Sequence, residues 1–219
     1  MKSRIQSLRL NLIISILVLV TAGLFFGLIA QNVVSGGSFT IIDVQIAQWL
    51  HERSTPLITQ GLLIVTNLHD PIVISAISVL MTLYFIWKKH WYAVLVLVLV
   101  VQGGMLLNLL AKHVFQRARP SFENPLITLT TYSFPSGHVA ASTVFYGVVA
   151  VLFISQNSSR MRAICILMMA FSMVALVAFS RIYLGAHYLS DVLAAFLEAI
   201  AWIVICLTAI QTYRHQNLK

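Results

Sequence analysis

Long apolar runs separated by short polar clusters make up the chain. Six of them can cross a bilayer, which takes about 20 residues, or a few fewer with favourable flanks. They lie near Leu10–Ala30, Pro71–Trp87, Trp91–Ala111, Val139–Ser155, Ala163–Phe179 and Val192–Tyr213. None alternates with the two-residue period of a strand, and an open sheet leaves its backbone unsatisfied in lipid. The pattern predicts an all-α integral membrane bundle of six transmembrane helices. The first run follows Lys2, Arg4 and Arg9, as the apolar part of a signal peptide would. Its core runs about twenty residues, against roughly 7–15 for a signal, and no clear small-x-small site follows, so it reads as a retained anchor.

Shorter elements fill the stretch 33–70. Ser35-Gly36-Gly37-Ser38 reads as a turn, and Ile41–Leu50 as a short interfacial helix anchored by Trp49. Pro56–Leu68 is apolar but too short to span, so it reads as interfacial or re-entrant. With no internal repeat, low-complexity tract or composition break, residues 1–219 are expected to form a single membrane-embedded domain.

Composition narrows the class further. Hydrophobic residues make up 59% of the 219 positions and charged ones only 9%, where a soluble domain carries about a quarter charged. That excludes a soluble enzyme, a disordered tail and a disulfide scaffold. Cys165 and Cys206 sit inside apolar runs and read as small core residues, with no spacing for a disulfide framework or a thiolate metal site. The net charge of +8 is split into short clusters between apolar runs, with no basic stripe of the kind nucleic acid requires. With the N-terminus inside, Lys2, Arg4, Arg9, Lys88, Lys89, Arg160, Arg162, Arg214 and Lys219 fall on the inner side. Arg53, Lys112, Arg117, Arg119 and Arg181 fall outside, with Asp43, Glu52, Asp70, Glu123 and Asp191. The positive-inside bias places both termini in the cytoplasm.

The outer basic residues fall in three polar clusters at one membrane face. Where the third run ends, Lys112 and Arg119 are seven apart and share one side of a continuing helix, before Pro120 disfavours helix at Arg119. Two cations on one side suit an anion, although snorkelling interfacial cations give the same pattern. Pro135-Ser136-Gly137-His138 stands just before the fourth run, where free N–H groups and the helix dipole attract phosphate. Gly137 allows close backbone approach, Ser136 can donate, and His138 titrates near neutrality; a plain serine cap beside an incidental histidine is the simpler account. In the third cluster, Ser180-Arg181 precedes His187 and Asp191, whose spacing of four makes them helix neighbours. A carboxylate there can fix the imidazole tautomer and leave the other nitrogen free to attack, or the pair can merely cap the sixth run.

Together the clusters offer three cations, two histidines, a carboxylate and a helix N-terminus, which suits phosphoryl transfer without a metal. Grouped acidic magnesium ligands are missing, with Asp43, Glu52, Asp70 and Glu123 left open individually. Arg117 and His113 read as ordinary interfacial residues, and Tyr183 and Tyr188 as part of an aromatic belt. Glu198, seven beyond Asp191, reads as a headgroup sensor or an interior bonding partner.

The pattern Lys-x6-Arg-Pro (Lys112 to Pro120), Pro-Ser-Gly-His (Pro135 to His138) and Ser-Arg-x5-His-x3-Asp (Ser180 to Asp191) resembles the type 2 phosphatidic acid phosphatase family. All three motifs are complete and in order, and six spans is that family's architecture. The resemblance implies that His187 is the nucleophile of a phosphohistidine intermediate, oriented by Asp191. It implies that His138 protonates the leaving oxygen and then activates water, with Lys112, Arg119, Arg181, Ser136 and Gly137 binding the phosphate. It further implies a lipid phosphate or diphosphate taken from the outer leaflet, with undecaprenyl pyrophosphate or phosphatidylglycerophosphate first among substrates. No cofactor, nucleic acid or obligate protein partner is expected. The compact chain points to a bacterial inner membrane, with the active site on the extracytoplasmic side. Two alternatives stand beside hydrolysis: a phosphotransferase with a lipid acceptor, and a transporter, against which the siting of both histidines at a rim rather than the midplane argues.

Overall fold

A computed structural model describes residues 2–154 and 159–217, with side chains described for 12–154 and 159–214. All regular structure among them is helical: α1 (Lys2–Ser35), α2 (Ser38–Glu52), α3 (Pro56–Leu68), α4 (Pro71–Trp87), α5 (Trp91–Val96), a π-helical turn (Leu97–Gln102), α6 (Gly103–Phe115), α7 (Gly137–Ile154), α8 (Arg160–Tyr183) and α9 (Leu189–Asn217). Ser155, the expected end of the fourth run, and Lys219 lie outside the described residues.

Among the described residues, five spans are long and apolar enough to cross a membrane: α1, the continuous α5–α6 rod, α7, α8 and α9. The count reaches six if α3 and α4, bent by 41° at a short break, form one broken span. The break is chemically determined. His69 ends α3, Asp70 accepts the Ile72 N–H at 2.8 Å, and Pro71 occupies the first helical position of α4. Proline there sacrifices no hydrogen bond and its φ suits a helix start.

The core lies where α4, the π turn, α7 and α9 meet, with Ile74, Leu97, Val100, Val144, Val148 and Ile203 buried together. Close approach is set by small residues, as is usual between helices in lipid. A side-chain carbon added at Gly104 would stand 2.8 Å from a Val144 methyl and 3.0 Å from the Trp202 ring. Trp202 also donates its indole N–H to the Leu99 carbonyl at 3.0 Å, giving the π turn a partner from α9. Outward faces carry Leu17, Leu24, Phe25, Leu80 and Met169 exposed, the apolar surface that acyl chains cover. Cys206 is buried as expected, but Cys165 is exposed on α8, because its side of the helix turns away from the core.

Candidate active site

All three polar clusters meet at one end of the bundle. Gln116, with φ of +46°, ends α6 immediately after Phe115. The helix thus stops before Pro120 can act on it, and Arg119 does not continue on the face of Lys112 as the spacing predicts. The loop that follows folds back instead. Lys112 Nζ donates to the Tyr132 carbonyl at 2.8 Å. Arg119 donates to the Thr131 carbonyl at 2.6 Å, to Thr131 Oγ1 at 2.8 Å and to the Ala186 carbonyl at 2.5 Å. Both cations are brought to one cavity by backbone acceptors rather than by a shared helix.

Ser136 directly precedes α7, and its N–H donates to the Asp191 carbonyl at 3.1 Å, tying the start of α7 to the first turn of α9. A Cβ at Gly137 would lie 3.5 Å from both Lys112 Cε and Asn108 Oδ1, an ordinary contact. The chain itself therefore leaves room beside the N-terminus of α7, where a bound anion could approach the backbone. His138 follows, its Nε2 3.6 Å from Asp70 Oδ2.

His187 lies before α9 rather than on it, correcting the shared-helix expectation for His187 and Asp191. The Gly185 turn (φ +67°) reverses the chain after α8, and a side chain there would collide with the Phe122 ring at 2.7 Å. Asp191 sits in the first turn of α9, fully buried. Its Oδ2 accepts the Tyr188 N–H at 2.9 Å and the Ser133 hydroxyl at 2.5 Å. His187 Nδ1 stands 3.5 Å from the same oxygen, longer than a tight hydrogen bond.

The tautomer of His187 follows from its neighbour. Arg119 NH1 lies 3.2 Å from His187 Nε2, and a guanidinium can only donate. Nε2 is therefore the lone-pair nitrogen and Nδ1 carries the proton toward Asp191. Burial, outweighing Asp191, pushes the His187 pKa down to about 3, so the ring is neutral at physiological pH and Nε2 carries no proton.

Nε2 faces a cavity of about 970 Å³ lined by Lys112, Arg119, Gly137, His138, Arg181 and His187 at its polar end and by Ile72, Leu106 and Leu109 on its apolar side. Arg181 is held through NH1 by Thr66 of α3, while its buried Nε and the buried Ser136 hydroxyl have no hydrogen-bond partner among the described residues. An unsatisfied buried donor costs about 1–3 kcal/mol, and the oxygens of a tetrahedral anion in the cavity would supply an acceptor for Arg181, which lines it. No group of three or more His, Cys, Asp or Glu side chains able to hold a metal ion occurs among the described residues.

Other residues that contact the site were missed from sequence. Arg117 is not an ordinary interfacial residue. It bonds Asp191 Oδ1 at 2.6 Å and Asp43 Oδ2 at 2.8 Å, with its guanidinium 4.3 Å from the Tyr188 ring. The two carboxylates, opposing the effect of its burial, raise its pKa above the ordinary arginine value. Asp43, left open above as a metal ligand, is buried on the same side of α2 as Ala47. A lone acid on a buried helix face was the one available signal, since its partners lie far along the chain. Tyr183 is likewise buried rather than in a belt, its hydroxyl accepting the Thr55 N–H at 2.9 Å.

Glu198 proves to be an interior partner, accepting from Asn108 Nδ2 at 2.9 Å. Glu198→Ala strands that amide and is expected to destabilise the protein by about 1–3 kcal/mol, whereas Glu198→Gln keeps an acceptor. Thermal unfolding in detergent should therefore show a lower Tm for the alanine variant and little change for glutamine.

The model of the PAP2 superfamily matches residues 90–215, which contain every motif residue named above. The chain belongs to the PAP2 superfamily. Within that superfamily it is 36% identical over 115 residues to phosphatidylglycerophosphatase B of Bacillus subtilis (strain 168), an alignment covering 51% of this chain and 55% of that protein. The chain thus spans about half the length of that curated relative. Its fold is similar to the crystal structure of a transmembrane PAP2-type phosphatidylglycerolphosphate phosphatase from Bacillus subtilis. That match has a TM-score of 0.78 at 25% identity, covering 92% of this chain and 98% of that one. The fold of Aquifex aeolicus LpxE is also similar, with a TM-score of 0.60 at 24% identity over 76% of this chain and 94% of that one.

Proposed function

We propose that this PAP2 chain is a metal-independent membrane phosphatase that removes phosphate from a lipid phosphate or diphosphate through a phosphohistidine on His187. The observation that carries the reading is the orientation of His187, with its Nε2 lone pair facing a cation-lined cavity and its Nδ1 proton facing Asp191. Nε2 attacks phosphorus, the P–O bond to the lipid breaks, and His138 gives its proton to the leaving oxygen. Water then attacks the phosphohistidine, His138 takes the water proton, and the P–N bond breaks to release phosphate. Asp191 balances the positive charge that the ring carries while it holds phosphate. Lys112, Arg119, Arg181, Ser136 and the Gly137 N–H bind the phosphoryl oxygens, whose charge preorganised donors stabilise.

In this reading the six-span count includes α3–α4 as one bent span, and α2 lies along the outer interface. The whole chain is a single domain of the inner membrane, with both termini cytoplasmic and the site extracytoplasmic. The headgroup sits over His187 and His138 while its chain follows the apolar side of the cavity. Phosphatidylglycerophosphate is favoured because the Bacillus relatives carry that substrate in their names, with undecaprenyl pyrophosphate beside it.

The test is phosphate release by the detergent-purified full chain from phosphatidylglycerophosphate, undecaprenyl pyrophosphate and phosphatidic acid, each with and without a chelator. Chelator-resistant release from at least one lipid is expected, and the ranking of rates identifies the substrate. A phosphorylated second lipid in place of free phosphate would identify a transferase. Orthovanadate, a phosphate mimic, is expected to inhibit competitively, and full activity in its excess would count against the phosphate pocket.

A further inference from the structure

One buried charge cluster joins the site to an element that carries none of the three motifs. Asp43 of α2 accepts three bonds: from the Ser190 N–H at 2.9 Å, from the Ser190 hydroxyl, and from Arg117 NH2 at 2.8 Å. Arg117 NH1 in turn reaches Ser190 Oγ at 2.7 Å and Asp191 Oδ1 at 2.6 Å. All three charged groups lie out of water, with side-chain exposures of 11% for Arg117, 3% for Asp43 and 0% for Asp191. Each charge in such surroundings acts over a longer range than it would at the surface.

Their formal charges decide what the cluster offers His187. Arg117 paired with Asp191 alone is neutral, and a neutral pair gives little support to a ring that becomes positive on accepting phosphate. Asp43 supplies a second carboxylate, so the three groups together carry one net negative charge. Resting on the phosphohistidine reading above, we infer that Asp43 is a positioning residue. It holds Arg117 and Ser190 in place and offsets the guanidinium, so that Asp191 keeps its negative charge toward His187. Asp43 acts through Arg117 and Asp191, so it affects the chemical step more than lipid binding.

Three variants of the full chain in detergent test this against a lipid phosphate that the wild type hydrolyses. Asp43→Asn keeps the shape but leaves the cluster neutral. It is expected to lower kcat about 30-fold, an ordinary effect for one nearby unit charge at an effective dielectric constant of about 20, with KM within about threefold of wild type. Adding Arg117→Gln removes the opposing charge and returns the net charge to minus one. Asp191 meanwhile keeps its bonds from Ser133 and the Tyr188 N–H. The double variant is therefore expected to recover at least about tenfold in kcat over Asp43→Asn. A merely structural role predicts the reverse, because the second substitution removes further bonds. A double variant as slow as Asp43→Asn or slower overturns the inference, as does an unchanged kcat in Asp43→Asn. If Asp43→Asn alone fails to fold, the double variant, in which Ser133 and the Tyr188 N–H still donate to Asp191, is compared with wild type directly, and a kcat more than about 100-fold lower overturns it. His187→Ala in parallel keeps the two readings apart: its failure to reduce release would refute the nucleophile assignment, whereas the Asp43 series tests the charge offset alone.

Discussion

Protein carrying His187→Ala is expected to release no phosphate above background from any lipid that the wild type hydrolyses. Loss of a catalytic nucleophile removes the covalent route entirely, and kcat falls by at least about 10⁴-fold in such cases. The pocket around the missing ring should persist. Asp191 keeps its bonds from Arg117, Ser133 and the Tyr188 N–H, so no buried charge is stranded, and Arg119 still reaches the Ala186 carbonyl. Wild-type thermal unfolding with absent turnover is therefore the expected combination, together with retained binding of phosphate or vanadate at the cation cluster. Phosphate release at more than a few per cent of the wild-type rate would mean that another group, or water directly, attacks phosphorus.

His138→Gln should slow the same reaction unevenly across substrates. A positioned acid–base group contributes about 10²–10⁴-fold, and a lipid alkoxide needs its proton more than a departing phosphate does. Monoesters are thus expected to lose most in the first step. A diphosphate should still phosphorylate His187 and then stall, because nothing takes the proton of the attacking water. Rapid quenching with a labelled diphosphate should show an acid-labile, base-stable phosphoprotein in His138→Gln and much less in wild type. Equal losses on both substrates with no trapped label would remove His138 from the acid–base role. The Asp70 carboxylate stands 3.6 Å from the His138 ring, and His187 lines the same cavity.

The motif residues were legible from sequence because each is local: a cation pair at a span end, a glycine at a helix start, a histidine four before an aspartate. How they meet was not. The αL conformation of Gln116 ends α6 ahead of Pro120, and the Gly185 turn keeps His187 off α9. Both are single-residue backbone events that leave hydrophobic periodicity unchanged. Arg117 lay inside the first motif yet read as bland, because its partners Asp43 and Asp191 are 74 positions away on either side. Ser133 was invisible for the same reason, being tied to Asp191 across 58 positions. The six apolar runs were equally plain, but the angle between α3 and α4 is set at Asp70–Pro71, and composition carries no angle.

The π turn at Leu97–Gln102 has a consequence for aim. A π-helical turn accommodates one residue more than an α-helical turn, so everything beyond it is rotated by about 100° relative to an uninterrupted helix. Lys112 lies beyond that turn, on the same rod. Its direction toward the cavity beside His187 is therefore a matter of helical phase, set deep in the span rather than at the rim. Straightening that turn into an α-helix with every residue kept would leave the first motif intact in sequence and swing its lysine about a quarter-turn away from His187.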